Sequence, residues 1–192
     1  MTFHVRTLIA AGLAALATMP AVAADGLRPV IGVALTGGGE TLATVRYTDG
    51  STQNIKSGGF VHLFGGFEYR SGALSMQANV GYHVDDTTGN NGSVKFSRMP
   101  IEVLGFWHAS DTVRLGGGYR RAGTAKLSGS GAASSLGSFS FTGKGGLVLQ
   151  GDYFFGADQK ASAYLRYVIE DYTLRGSSFS GNHLGLGVAY RF

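Results

Sequence analysis

The sequence predicts an all-β protein: an eight-stranded antiparallel up-and-down transmembrane β-barrel, with short turns at one end and longer loops at the other. Three observations predict it. The chain opens with an export leader, continues as segments of about ten residues with alternating apolar positions, and joins them by connections that alternate in length.

Composition narrows the field first. A chain of 192 residues suits a single domain. It has no cysteine, which removes disulfides, thiolate metal ligands and thiol nucleophiles together. Its 32 glycines have no three-residue period, so collagen is excluded, yet many interrupt apolar β-branched stretches where a soluble sheet avoids them. The formal charge is +4, but the 16 lysines and arginines are spread along the chain, which argues against a nucleic-acid partner.

Residues 1–24 read as a secretory signal peptide. Met1 to Arg6 carry positive charge, residues 7–19 are apolar and alanine-rich, and Pro20 precedes the small residues Ala21, Val22, Ala23 and Ala24. Cleavage after Ala23 or Ala24 fits equally, and residues 25–192 are then the barrel domain. No charge-free apolar run of about 18 residues follows Asp25, so no transmembrane helix is expected.

Eight segments alternate: 29–36, 60–70, 74–84, 99–107, 113–121, 145–155, 161–172 and 183–192. In the third, Leu74, Met76, Ala78, Val80, Tyr82 and Val84 share one face, opposite Ser75, Gln77, Asn79, Gly81 and His83. In the last, Leu184, Leu186, Val188, Tyr190 and Phe192 oppose His183, Gly185, Gly187, Ala189 and Arg191. Connections 70–73, 108–112 and 156–160 are short, whereas 37–59, 85–93, 122–143 and 176–181 are longer and polar. A soluble β-sandwich has similar strands but buries the apolar stripe, and periodicity alone does not choose between them. The export leader and the C-terminal strand favour the barrel. Within 37–59, Asp49-Gly50 is a hairpin signal that would set Thr48 opposite Ser51, and hence Ile31 opposite Glu68. Those two belong on opposite faces, so a bulge is expected at Gly37-Gly38-Gly39. The Gly/Ser/Ala-rich stretch 122–143 is expected to be a mobile loop.

Gly187, Tyr190 and Phe192 resemble the C-terminal signal by which outer-membrane barrels are recognised by the barrel-assembly machinery, with Gly185 where that pattern has a polar residue. Over the mature chain the pattern resembles the small OmpA/OmpX-type barrels of Gram-negative outer membranes. The resemblance implies periplasmic turns, extracellular loops, and outer-membrane lipid and lipopolysaccharide as surroundings. Aromatic residues fit two girdles: Tyr69, Trp107, Phe155 and Phe192 near the short turns, and Tyr82 and Tyr119 near the loops.

The face opposite the apolar stripe collects Glu68, Arg98, Glu102, Arg114, Arg120, Asp152, Arg166, Glu170 and Arg191. In a narrow lumen such charges must pair, so a hydrogen-bonded polar plug is expected, with a structural, envelope-integrity or surface-interaction role. A narrow pore for ions or small solutes is the first alternative, and a lipid-modifying enzyme the second. The lipid A deacylase family has His and Ser shortly after an Arg-Tyr; here Arg166-Tyr167 is followed by Val168-Ile169-Glu170-Asp171, so that activity is not implied. His62, His83 and His183 share the polar face, where Glu68 or Glu170 could orient one as a base, although filling the lumen is the simpler role. The acidic run 85–92 lacks the ligand spacing and terminal Glu of an EF-hand, and no metal or cofactor is expected. Lys56, Lys95, Lys126 and Lys144 are placed to meet lipopolysaccharide phosphates at the outer rim. No protein ligand is implied.

Overall fold

The computed structural model describes residues 26–46, 50–89, 92–156 and 158–192. The leader, Thr48 and Asp49 lie outside the described residues. Eight strands close a barrel: β1 (Gly26–Gly38), β4 (Phe60–Ser71), β5 (Leu74–Gly89), β7 (Ile101–His108), β8 (Val113–Arg121), β11 (Gly145–Phe155), β12 (Ala161–Ile169) and β15 (His183–Arg191). Each pairs antiparallel with its sequence neighbour in the barrel, and β1 closes the wall against β15 from Val30↔Arg191 to Gly38↔His183. Closure leaves no unpaired edge within the wall.

Alternation decides which side chains face out. Leu35, Leu63, Phe67, Met76, Val103, Leu115, Leu149, Leu165 and Leu186 are all exposed on the outer wall, while Arg114, Arg120, Arg191 and Glu68 are each 0% exposed inside. An apolar band of this extent on a closed wall suits lipid rather than water.

The long connections are not loops. They form β2 (Thr41–Arg46), β3 (Thr52–Lys56), β6 (Gly92–Arg98), β9 (Thr124–Gly131), β10 (Ser138–Gly143), β13 (Asp171–Leu174) and β14 (Ser177–Ser180), with a 3-10 turn at Ser134–Leu136. The upper part of β5 pairs with β6, and the sheet continues through β9, β10 and β13 to β14. This crown encloses Ile55, Val94, Phe96, Ala122, Ala125, Leu127, Phe141 and Tyr172. Phe96 meets Phe141 and Tyr172 edge-on, each at 5.6 Å. The β2–β3 hairpin is docked here by the Lys56 N–H donating to Asp85 at 2.7 Å and by the Glu40 N–H donating to the Ser180 carbonyl at 2.9 Å.

Several expectations need correction. The stretch 122–143 is a paired hairpin because Ala125, Leu127 and Phe141 recur at every second position and bury, a pattern that its serines and glycines obscure. The segment 161–172 is two strands, since the Glu170 N–H leaves the ladder and donates to the Asn182 side chain at 3.0 Å. The strand expected from Met99 begins at Ile101, because Pro100 has no N–H to give and its carbonyl instead accepts from Gly81 at 2.8 Å. The β2–β3 hairpin pairs Thr44 with Asn54 and Val45 with Gln53, one residue off the expected register, and its bulge lies between Thr41 and Ala43. In the barrel Ile31 pairs with Gly65, an odd number of residues from Glu68, so the two keep opposite faces as the expected bulge required. The glycines at 37–39 turn the chain out of the wall instead, with Gly38 and Gly39 at φ of 132° and 75°.

The glycine excess has a steric cause. The lumen holds rings and guanidinium groups larger than a uniform wall would admit. A Cβ on Gly116 would strike the Phe106 ring and the Gly105 carbonyl, and one on Gly187 would strike the Tyr164 ring and the Val33 carbonyl.

Candidate functional site

Inward-facing positions of the eight strands, joined at the upper end by Arg98 of β6, Glu170 between β12 and β13, and Tyr172 of β13, build two ionic clusters. In the cluster nearer the short turns, Glu68 accepts from Arg28 at 2.9 Å, Arg114 at 2.6 Å and Arg191 at 2.9 Å. Asp152 accepts from Arg114 at 3.3 Å, Arg191 at 3.4 Å and Ser162 at 3.3 Å. The guanidinium of Arg114 lies 3.7 Å above the Phe106 ring, and that of Arg191 lies 4.8 Å from the Phe154 ring.

In the cluster below the crown, Glu102 accepts from Arg120 at 2.6 Å, Arg166 at 2.9 Å and Asn79 at 3.3 Å. Glu170 accepts from Arg120 at 2.9 Å and from the Tyr172 hydroxyl at 2.8 Å, with Arg98 4.0 Å away. Gln77 links the clusters: its carbonyl accepts from Arg114 at 3.1 Å and its amide donates to Asn79 at 3.0 Å. Many of these bonds join strands that are not neighbours in the wall, such as Arg166 on β12 to Glu102 on β7. They therefore cross the lumen.

The structure thus places all nine charged residues singled out from the sequence in the interior, and brings them into two groups. Arg28, Gln77 and Asn79 complete the network and were missed. Arg28 precedes the expected start of its strand by one residue, and the two amides carry no charge to draw attention. The lining is also less polar than expected. Val30, Ala34, Phe64, Tyr164 and Ala189 form one apolar patch of the lumen, and Leu104, Phe106, Val148 and Val168 another.

Three histidines meet in the upper cluster, His62 and His83 tilted with ring centroids 5.2 Å apart and His83 and His183 edge-on at 4.9 Å. His83 lies between guanidinium groups, with Arg120 3.0 Å from Nδ1 and Arg98 3.1 Å from Nε2. A neutral imidazole accepts at one nitrogen only, so the arrangement that satisfies it best has Nδ1 accepting from Arg120 and Nε2–H donating to Thr36 at 2.8 Å. His83, Glu170 and His183 offer ligand atoms within 4.8 Å of one another, the donor set of a transition-metal site. Arg98 and Arg120 stand against that use, since both guanidinium groups already neutralise Glu170 and crowd His83. Of the run 85–92, residues 85–89 belong to β5 and Gly92 opens β6, and Asp85 uses its carboxylate to receive the Lys56 N–H.

On the outer wall Tyr69, Trp107 and Phe155 are exposed near the short turns, and Tyr82 and Tyr119 below the crown. Tyr190 also faces out, edge-on to Phe192 at 5.1 Å, whereas Gly187 faces in beneath Tyr164. Lys95 stands over the Tyr82 ring at 5.5 Å. Lys56, Lys126 and Lys144 are exposed in or beside the crown, and Arg121, not singled out beforehand, is exposed at the upper end of β8.

No family model matches the sequence, and no curated protein matches it. Solved structures do resemble the fold. The attachment invasion locus protein Ail of Yersinia pestis, in complex with the heparin analogue sucrose octasulfate, aligns at TM-score 0.55 and 15% identity over 88% of this chain and 99% of Ail. Neisserial surface protein A aligns at TM-score 0.51 and 11% identity over 88% of this chain and 98% of its own. The chain has the fold of the small eight-stranded outer-membrane barrels. Its crown adds seven strands to the eight of that barrel.

Proposed function

We propose that this chain is an outer-membrane barrel with a plugged lumen, serving a structural or surface-interaction role through its crown. The observation that carries the reading is the set of Arg–carboxylate pairs that span the lumen, above all Arg166–Glu102 and Arg114–Glu68. A conducting pore keeps a water path open, whereas these pairs, linked through Gln77 and Asn79, occupy the cross-section with side chains. The apolar outer wall and the aromatic positions at its two ends support a bilayer as its solvent. Residues 1–24 would act as the export leader. Gly187, Tyr190 and Phe192 would serve the barrel-assembly machinery, and outer-membrane lipid and lipopolysaccharide would surround the wall.

The test is single-channel recording of the refolded mature protein in a planar bilayer. A folded barrel, verified by its heat-dependent gel mobility, is expected to be silent. Discrete current steps that change in Arg98→Ala or Glu102→Ala would overturn the plugged reading and make the narrow pore the function.

A further inference from the structure

Two shallow grooves run on the outer wall, and they differ in how they end. The groove at the barrel waist is lined on its outward side by Leu115, Leu149, Leu165, Tyr167 and Leu184, and its one charged border residue, Arg166, is turned into the lumen and buried. The other groove lies between β7 and β8, lined by Met99, Ile101, Val103, Tyr119, Arg121 and Gly123. Its apolar residues are exposed, and Arg121 stands directly across the ladder from Ile101 at the end nearest the crown.

Charge placement continues upward from that end. Lys126 lies on β9, the continuation of β8 beyond the turn at Gly123, and is opposite Ser97 of β6, two residues before Met99, which lies in the link between β6 and β7. The cross-strand neighbours of Arg121 are Ile101 and Gly145, and those of Lys126 are Ser97 and Ser140, none of them acidic. Lys95 differs, since Asp86 is its cross-strand neighbour. An apolar groove at membrane depth, capped at the interface by cations whose cross-strand neighbours among the described residues are uncharged, complements an amphiphile with an anionic head.

We propose that the β7–β8 groove binds lipid A, with an acyl chain along Met99, Ile101, Val103 and Tyr119 and a phosphate on Arg121 and Lys126. This rests on the reading of the chain as an outer-membrane barrel, whose outer leaflet supplies that lipid. The waist groove, with no outward cation, takes hydrocarbon without head-group selection.

The test is native mass spectrometry of the refolded mature protein exchanged from detergent containing hexa-acylated lipid A. The wild type is expected to retain lipid A in preference to dephosphorylated lipid A. Arg121→Gln and Lys126→Gln are each expected to lower retention by about fivefold, the loss of one cation at a lipid surface. Val103→Trp, which fills the groove and leaves the cations, is expected to lower it as well. Equal retention of the phosphorylated and dephosphorylated lipids by the wild type, or unchanged retention in the double glutamine variant, overturns the site. The wild-type comparison stands even where a variant does not fold. Failure of the wild type to insert into bilayers or to show a heat-dependent gel shift would instead count against the barrel reading itself.

Discussion

β8 and β9 follow one another in the chain, separated by the turn at Gly123, yet they solve opposite problems. On β8 the exposed residues along the wall are Leu115 and Tyr119, with Arg121 exposed only at its upper end, and the buried ones are Arg114 and Arg120. On β9 the exposed residues are Thr124 and Lys126, and the buried ones are Ala125 and Leu127. The period is the same and the sign is reversed. In the crown the outer solvent is water, so burying Phe96, Phe141 and Leu127 drives packing in the ordinary way. Around the barrel the outer solvent is hydrocarbon, which receives leucine as readily as a core does. The interior there must be held by charge-assisted hydrogen bonds and backbone pairing instead. Two interiors in one chain are thus stabilised by different forces, and each should fail to a different insult.

The largest contrast comes from removing the hub carboxylate. Glu68→Ala leaves Arg28, Arg114 and Arg191 without their shared partner and is expected to cost about 3–5 kcal/mol, read as the urea midpoint of the barrel in lipid vesicles. Phe96→Ala is expected to cost a similar ~3–5 kcal/mol, but within the crown alone. Limited proteolysis should then cut the crown while the barrel keeps its gel mobility, and joint loss of both would show that the two interiors are not independent. A smaller effect follows from charge on the outer wall. Leu149→Arg near mid-barrel should cost about 2–4 kcal/mol, whereas Ser138→Lys, exposed on the crown and opposite Ser128, should stay within about 0.5 kcal/mol, by the same urea titration.

The smallest effect is a pH dependence at the join. Burial pushes the Asp85 carboxyl above its ordinary value, outweighing the Lys56 N–H and the charge of Arg98, with Asp86 adding to the rise. The folded state therefore favours the protonated form. Docking of the β2–β3 hairpin is fully supported below the ordinary carboxyl pKa and weakens as pH rises through the raised one. Exchange protection of the Lys56 amide, corrected for intrinsic rate, should fall over that window in the wild type. It should stay level in Asp85→Asn, which keeps the acceptor oxygen.

The barrel was legible in the sequence because its strands alternate strongly and long enough, as in 74–84, and because buried charge in a lipid-facing sheet has only one place to go. The nine charges could be assigned to the lumen from parity alone. Their grouping could not, since Arg166 meets Glu102 through closure of the wall and not through any sequence spacing. The crown was less legible. Its inward residues are sparse, with Ala125 and Ala122 among them, and its outward residues are serines and threonines that read as loop. Hairpin register also escaped, because a bulge at Leu42 leaves no signature in composition.

Arg191 gives the closing seam a property of its own. It sits on β15, opposite Val30 of β1, and supplies partners to both Glu68 and Asp152. Asp152 on β11 lies on the same side of the seam as Arg191, through β12, whereas Glu68 on β4 lies across it. Until β15 meets β1, Glu68 lacks one of its counter-ions, and a half-zipped cylinder is electrostatically unfinished. Closure and charge compensation are then a single event. A chain that joins its ends out of register brings Arg191 to the wrong height, and the interior itself rejects the error.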